Sequence, residues 1–161
     1  MSKCARLRWE ETDRSVVARD AKGNLVGALY LHQHVRGMDE ELIVGTVRVA
    51  DTHQRCGVGT QLYTRAAAIA RKLRMPLVSD STRSEAAEMF WQKQERKGRA
   101  TCARKGKGAA KLAWNPTTGF SPARGRWSCQ QYVLKPDATD LSGLKHKPAR
   151  KGAKRRKGSK R

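Results

Sequence analysis

Leu42-Ile43-Val44-Gly45-Thr46-Val47-Arg48-Val49-Ala50 runs on into Asp51-Thr52-His53-Gln54-Arg55-Cys56-Gly57-Val58-Gly59-Thr60, and this stretch decides the fold. Its first nine residues are β-branched and almost continuously apolar, the pattern of a central strand covered on both faces. From Val58 the period changes. Val58, Leu62, Ala66, Ile69, Ala70 and Leu73 recur at helical spacing among Gln61, Arg65, Arg71 and Lys72, which predicts an amphipathic helix over 58–74. At the joint, Gly57 and Gly59 permit backbone conformations that a Cβ opposes. A strand that passes through such a turn into a helix leaves backbone N–H groups unpaired, with the positive end of the helix dipole behind them. That arrangement suits a phosphate or pyrophosphate. Two glycines alone fit equally well with a tight turn that holds nothing.

Upstream, residues 6–10 and 15–19 read as short strands separated by Glu11-Thr12-Asp13. The turn cluster Asp20-Ala21-Lys22-Gly23-Asn24 leads into 25–34, where apolar residues fill both alternating sets. A loop over 35–40, containing Gly37, returns the chain into the central strand, so the N-terminal half is an antiparallel meander. Downstream, Met75-Pro76 ends the helix and 76–80 reads as a short strand, parallel to the central one because a helix has carried the chain back. Thr82 and Glu85 are spaced as a capping box. Ala86, Ala87, Phe90 and Trp91, with Met89 beside them, supply the buried side of a second helix. Residues 99–104 read as a strand, 114–122 as a loop rich in turn formers, and 127–134 as a closing strand with Trp127, Tyr132 and Leu134 as its apolar anchors.

Gln54-Arg55-Cys56-Gly57-Val58-Gly59 resembles the Gln/Arg-x-x-Gly-x-Gly/Ala signature of the GNAT superfamily of N-acetyltransferases. Ser84-Glu85-Ala86-Ala87-Glu88-Met89-Phe90-Trp91 is similar to that family's second motif, Asn/Ser-x-x-Ala-x-x-Leu/Phe-Tyr/Trp. The resemblance covers roughly residues 15–100. It implies an α/β (α+β) fold: a mixed, mostly antiparallel sheet splayed between two central parallel strands and flanked by helices. Too few residues separate the first two strands for the family's usual N-terminal helix pair, which is therefore reduced or absent and leaves the acceptor side open.

The resemblance further implies acetyl-CoA as the coenzyme. Val47, Arg48 and Val49 would offer backbone groups to the acyl arm. Gln54, Arg55, Cys56, Gly57, Val58, Gly59 and Thr60 would hold the pyrophosphate, and Ser84 and Trp91 would line the groove. The position of Trp91 is often a tyrosine that protonates the departing thiolate. An indole N–H does not titrate in that range, so Trp91 reads as a packing residue. Amide formation also needs a neutral amine, and a carboxylate is the usual base. Glu41, at the mouth of the central strand with Glu40 and Asp51 behind it, is the candidate. Two functions stay open: an acetyl-CoA-dependent N-acetyltransferase acting on a primary amine, such as a protein lysine or N-terminus, and a non-catalytic protein on the same scaffold that binds DNA or RNA.

Composition bears on that choice. The 161 residues carry a formal charge of +21, enough chain for one domain, here 1–136, plus a tail over 137–161. From Ala100 onward there are seventeen basic residues and two acidic ones, a bias that points to a polyanionic partner. The tail that begins at Lys145 and ends at Arg161 holds ten basic residues and no acidic one. It is expected to be disordered by itself and to meet nucleic acid without sequence preference. Cys4, Cys56, Cys102 and Cys129 show no Cys-x-x-Cys pair, so neither a metal site nor a disulfide framework is expected, and a reducing cytoplasm follows. No apolar run approaches the ~20 residues of a membrane span. A monomer or a homodimer is expected.

Overall fold

The computed structural model describes residues 6–110, 113–115, 119–121, 127–138 and 141. The meander is built from β1 (Arg8–Thr12), β2 (Ser15–Arg19), β3 (Leu25–Arg36) and β4 (Asp39–Val49). β1 and β2 are joined by a two-residue turn, so the helix pair is absent at this point in the chain, as the spacing requires. The expected loop over 35–40 is a correction: β3 and β4 continue through it and pair down to Arg36 and Asp39, around a turn at Gly37 and Met38. Exposed polar residues at this far end of the hairpin carry no apolar alternation, which hid the strands.

A single 3₁₀ turn (Asp51–His53) precedes α1 (Val58–Lys72), and β5 (Leu77–Ser79) returns parallel to β4. β6 (Thr82–Arg83) and α2 (Glu85–Arg96) follow, then β7 (Ala100–Ala110), the small hairpin β8 (Ala113–Asn115) and β9 (Gly119–Ser121), and β10 (Trp127–Leu134). β7 outruns the expected 99–104, and β8 and β9 pair within what reads as a loop. Eight strands form one sheet in the order β1-β2-β3-β4-β5-β10-β7-β6, mixed and mostly antiparallel.

Both helices lie on one face. Val58 and Leu62 of α1 stand directly over Gly27 of β3, and Arg65 lies 4.4 Å above the ring of Trp9 on β1. On α2, Trp91 stacks on Tyr132 of β10 at 6.0 Å between centroids. The two helices meet through Tyr63, which stacks on Phe90 at 3.9 Å and meets Trp91 edge-on at 5.8 Å. Leu62, Ala66, Leu29, Val44 and Trp91 belong to one buried cluster. Burying a side chain of the size of Leu62 contributes about 1.5–3 kcal/mol, which is what fixes the helices on this face.

One further expectation is corrected. Cys102 and Cys129 are joined by a disulfide with a Cα–Cα distance of 5.8 Å. They lie on adjacent antiparallel strands, where Cys102 faces Tyr132 and Cys129 faces Lys105 across an irregular register. No local spacing rule reads a pair 27 residues apart, and the bond removes the ground on which a reducing compartment was expected. Ala138 and Leu141 are buried, with Arg71 Nη1 donating to the Ala138 carbonyl (3.0 Å) and Gln94 Nε2 to the Leu141 carbonyl (3.3 Å). The tail from Lys145 to Arg161 lies outside the described residues.

Candidate functional site

The strand-to-helix joint is built by backbone conformation. Gln54 is extended, Arg55 has φ 64°, and Gly57 has φ 73°. At Gly57 this left-handed geometry is free of the clash that a Cβ would bring. Gly57 is the N-cap of α1 and no side chain caps the helix, so the N–H groups of Val58, Gly59 and Thr60 have no intrahelical acceptor. The loop is braced from within: Gln54 Nε2 donates to Asp51 Oδ1 at 2.7 Å.

These amides open into a cavity of about 490 Å³ whose walls include Val47, Val49, Gln54, Arg55 and Ser84. A second cavity of about 220 Å³ shares Val47, Tyr63, Ser84 and Ala87 with it and continues between β4 and β5. The cause of that opening is legible in the register. β4 and β5 pair through Leu42–Leu77, Ile43–Val78 and Val44–Ser79, and stop there. On the other side of β4, the pairing with β3 shifts between Val44 and Val47, so that Gly45 and Thr46 together oppose Tyr30. Such a bulge bends the strand that carries it, here just where the pairing with β5 ends. Residues 47–49 pair with β3 on one side, and on the side of β5 the parallel pairing ends at Val44.

The groove is held open by a buried polar network that the sequence reading did not find. Arg83 and Glu88 are 2% and 1% exposed, and Arg83 Nε donates to Glu88 Oε2 at 2.6 Å. Glu88 Oε1 also accepts from Tyr132 Oη at 2.9 Å, while Arg83 Nη1 donates to the Gln130 carbonyl at 2.9 Å. Ser79 Oγ takes the N–H of Tyr132 at 2.8 Å. The end of β5, the start of α2 and the middle of β10 are therefore locked together beside the gap. Desolvation, reinforced by the Glu88 contact, holds the Tyr132 hydroxyl protonated well above the ordinary phenol range. Burial does the same to Tyr63. No pattern local in sequence links residues 79, 83, 88 and 132.

Val47, Val49, Gln54, Arg55, Gly57, Val58, Gly59, Thr60 and Ser84 line the larger cavity, and Arg48 and Trp91 line the smaller. Cys56 packs against the core instead. The N-cap of α2 is Ser84, its Oγ accepting from the Ala87 N–H at 3.2 Å. Trp91 is 1% exposed, boxed in by aromatic rings. Glu41 is the residue the structure does not bring to the groove. It lies four residues before Gly45, about 13 Å along the strand, and pairs with His34 (3.2 Å) and Arg36 (3.8 Å). Among side chains lining either cavity the one carboxylate is Asp80, just past the end of β5.

Residues 2–94 match the Acetyltransferase (GNAT) family. The chain belongs to this family. No curated protein matches it. Among solved structures, a protein assigned as a phosphinothricin N-acetyltransferase shares 16% identity, with a TM-score of 0.50 over 79% of this chain and 71% of that one. An IAA acetyltransferase from Bacillus cereus shares 15%, with a TM-score of 0.46 over 74% and 73%. The Bacillus subtilis N-acetyltransferase YlbP, in complex with coenzyme A, shares 15%, with a TM-score of 0.42 over 77% and 68%. At such identities the likeness is one of fold. As in this family, the mixed sheet opens between its two central parallel strands, and the GNAT member described here makes that sheet without an intervening helix pair between β1 and β2.

Proposed function

We propose that this GNAT protein is an acetyl-CoA-dependent N-acetyltransferase acting on a primary amine. The observation that supports it most is the continuity of the groove: helix amides that no side chain caps at one end, the stretch of β4 beyond its pairing with β5 at the other, and two adjoining cavities with shared walls between them. The residues fit the coenzyme. The N–H groups of Val58, Gly59 and Thr60 would take the pyrophosphate, with Arg55 adding charge, and the edge at 47–49 would hold the amide-bearing arm as a strand neighbour. When bound, acetyl-CoA supplies the activated acetyl group. The chain's own part is to fix the direction of the arm, to dry its path with Tyr63, Phe90 and Trp91, and to leave the gap open toward the other face of the sheet.

The indole of Trp91 is a weak donor that does not titrate near neutrality, and burial keeps Tyr63 and Tyr132 as neutral phenols. The test is calorimetric titration with acetyl-CoA and coenzyme A. Micromolar binding of both is expected; no heat at saturating coenzyme contradicts the reading. A second reading rests on the ten basic residues of the tail: association with DNA or RNA without sequence preference, whether or not the domain turns over. If all ten meet phosphates, the logarithm of affinity falls with the logarithm of salt at a slope of about −7 to −9; salt-insensitive retention in a gel shift removes it.

A further inference from the structure

The sheet face opposite α1 and α2 carries a feature that the coenzyme groove leaves unexplained. His32 on β3 stands opposite Ile43 on β4, and its imidazole lies across the backbone of Gly45. A Cβ built on Gly45 would stand 2.6 Å from Cδ2 of His32 and closer still to Nε2. Any side chain at 45 would therefore push the ring aside. Because Val44 pairs with Ser79, Gly45 is level with Asp80, the point at which β4 and β5 part. Both Gly45 and Asp80 belong to the wall of the cavity in the gap. The ring is thus held at the rim of the opening, exposed, on the face where no helix of the described residues packs.

We propose that His32 is the base of an acceptor site on this helix-free face, accepting a proton from a primary ammonium that reaches the gap from the side opposite the coenzyme. The proposal rests on the acetyltransferase reading above. Imidazole is the side chain suited to proton exchange near neutrality. Among the described residues no hydrogen bond or ion pair engages the imidazole of His32, whereas that of His34, two residues on, is held by Glu41 at 3.2 Å. The titratable and charged groups around His32 on this face are Tyr30 and His34 from its own strand, Glu41 and Arg48 from β4, Asp80 beyond β5, and Arg14 in the β1–β2 turn, whose carbonyl accepts the Leu31 N–H. β2 presents the uncharged Ser15 opposite Tyr30.

The proton balance is simple. The ammonium gives one proton to His32, and the exposed ring passes it to water. The freed lone pair of nitrogen forms the C–N bond as the thioester C–S bond breaks and its electron pair leaves on sulfur. The second proton lost from nitrogen equals the one that converts the thiolate to free thiol. Gly45 serves this step by what it lacks, a side chain over which the ring could not lie.

The test uses the full chain, with a lysine-bearing peptide and spermidine as acceptors, and follows thiol release from about pH 6 to 9. His32→Gln is expected to lower kcat/KM for the amine about a hundredfold. It should also change the dependence of the rate on pH, since the base works only when deprotonated. Acetyl-CoA affinity, measured by calorimetry, should not change. Gly45→Ala should reproduce the defect by displacing the ring, and His34→Gln and Glu41→Gln should be silent. Independently of turnover, the imidazole NMR signals of His32 should shift when acetyl-CoA is added to the wild type while those of His34 stay in place. Wild-type rate and pH profile in His32→Gln, with a stationary His32 signal, overturn the assignment and leave the acetyltransferase reading standing. A wild type that binds no acetyl-CoA, or that binds it and acetylates neither amine, overturns both.

Discussion

The two faces of the sheet are built on opposite terms. The helix-bearing face is closed by aromatic rings and by a buried ion pair that tie α1 to α2 and α2 to β10 and β6. The helix-free face carries single side chains, Tyr30, His32 and Arg48, that answer to strand register alone. One side is therefore expensive to disturb and tolerant of little; the other is cheap to disturb and decides chemistry. Coenzyme recognition by backbone amides needs a rigid frame, whereas an acceptor site needs only a few groups correctly spaced over a gap.

That contrast is broken most directly by removing the cation from the buried network. Arg83→Met leaves Glu88 buried without its partner and is expected to cost about 3–5 kcal/mol, read from chemical denaturation. Arg48→Met on the other face, where the guanidinium is exposed, should stay within about 0.5 kcal/mol. Equal costs would show that the network does not hold the groove. A smaller effect sharpens the comparison within the groove itself. Gly57→Ala must place a Cβ at φ 73°, a strain of about 1–2 kcal/mol, and should weaken coenzyme A binding about tenfold, the worth of roughly one charged hydrogen bond. Unchanged affinity would mean that the turn at Gly57 does not set the amides.

The difference between the faces also explains what could be read from the chain. The joint at 54–60 was legible because its demands fall on consecutive residues: a glycine where φ is positive, then helical period from Val58. Val47 and Val49 came with it, since an apolar strand leading into that turn has its edge there. Arg83, Glu88 and Tyr132 were not legible as a unit, because one partner lies on β10, 44 residues from Glu88. Glu41 was chosen as an acidic residue at a strand mouth, and only the register shows that it is spent on His34 and Arg36 far from the gap. His32 lay in plain sight as half of His-x-His. Its relation to Gly45 exists only once β3 and β4 are paired. The strands at 35–40 and 105–110 were missed for a related cause, polar or glycine-rich stretches whose extended form is imposed by a neighbour rather than by their own pattern.

The central claim is that the free amides at the start of α1 and the edge of β4 hold the two ends of one coenzyme. Backbone amide NMR with and without coenzyme A tests it residue by residue. The account predicts that the signals of Val58, Gly59 and Thr60 move together with those of Val47 and Val49 at a single saturating stoichiometry, while β1 and β2 remain still. Amide signals at 58–60 that do not respond to saturating coenzyme A would contradict it.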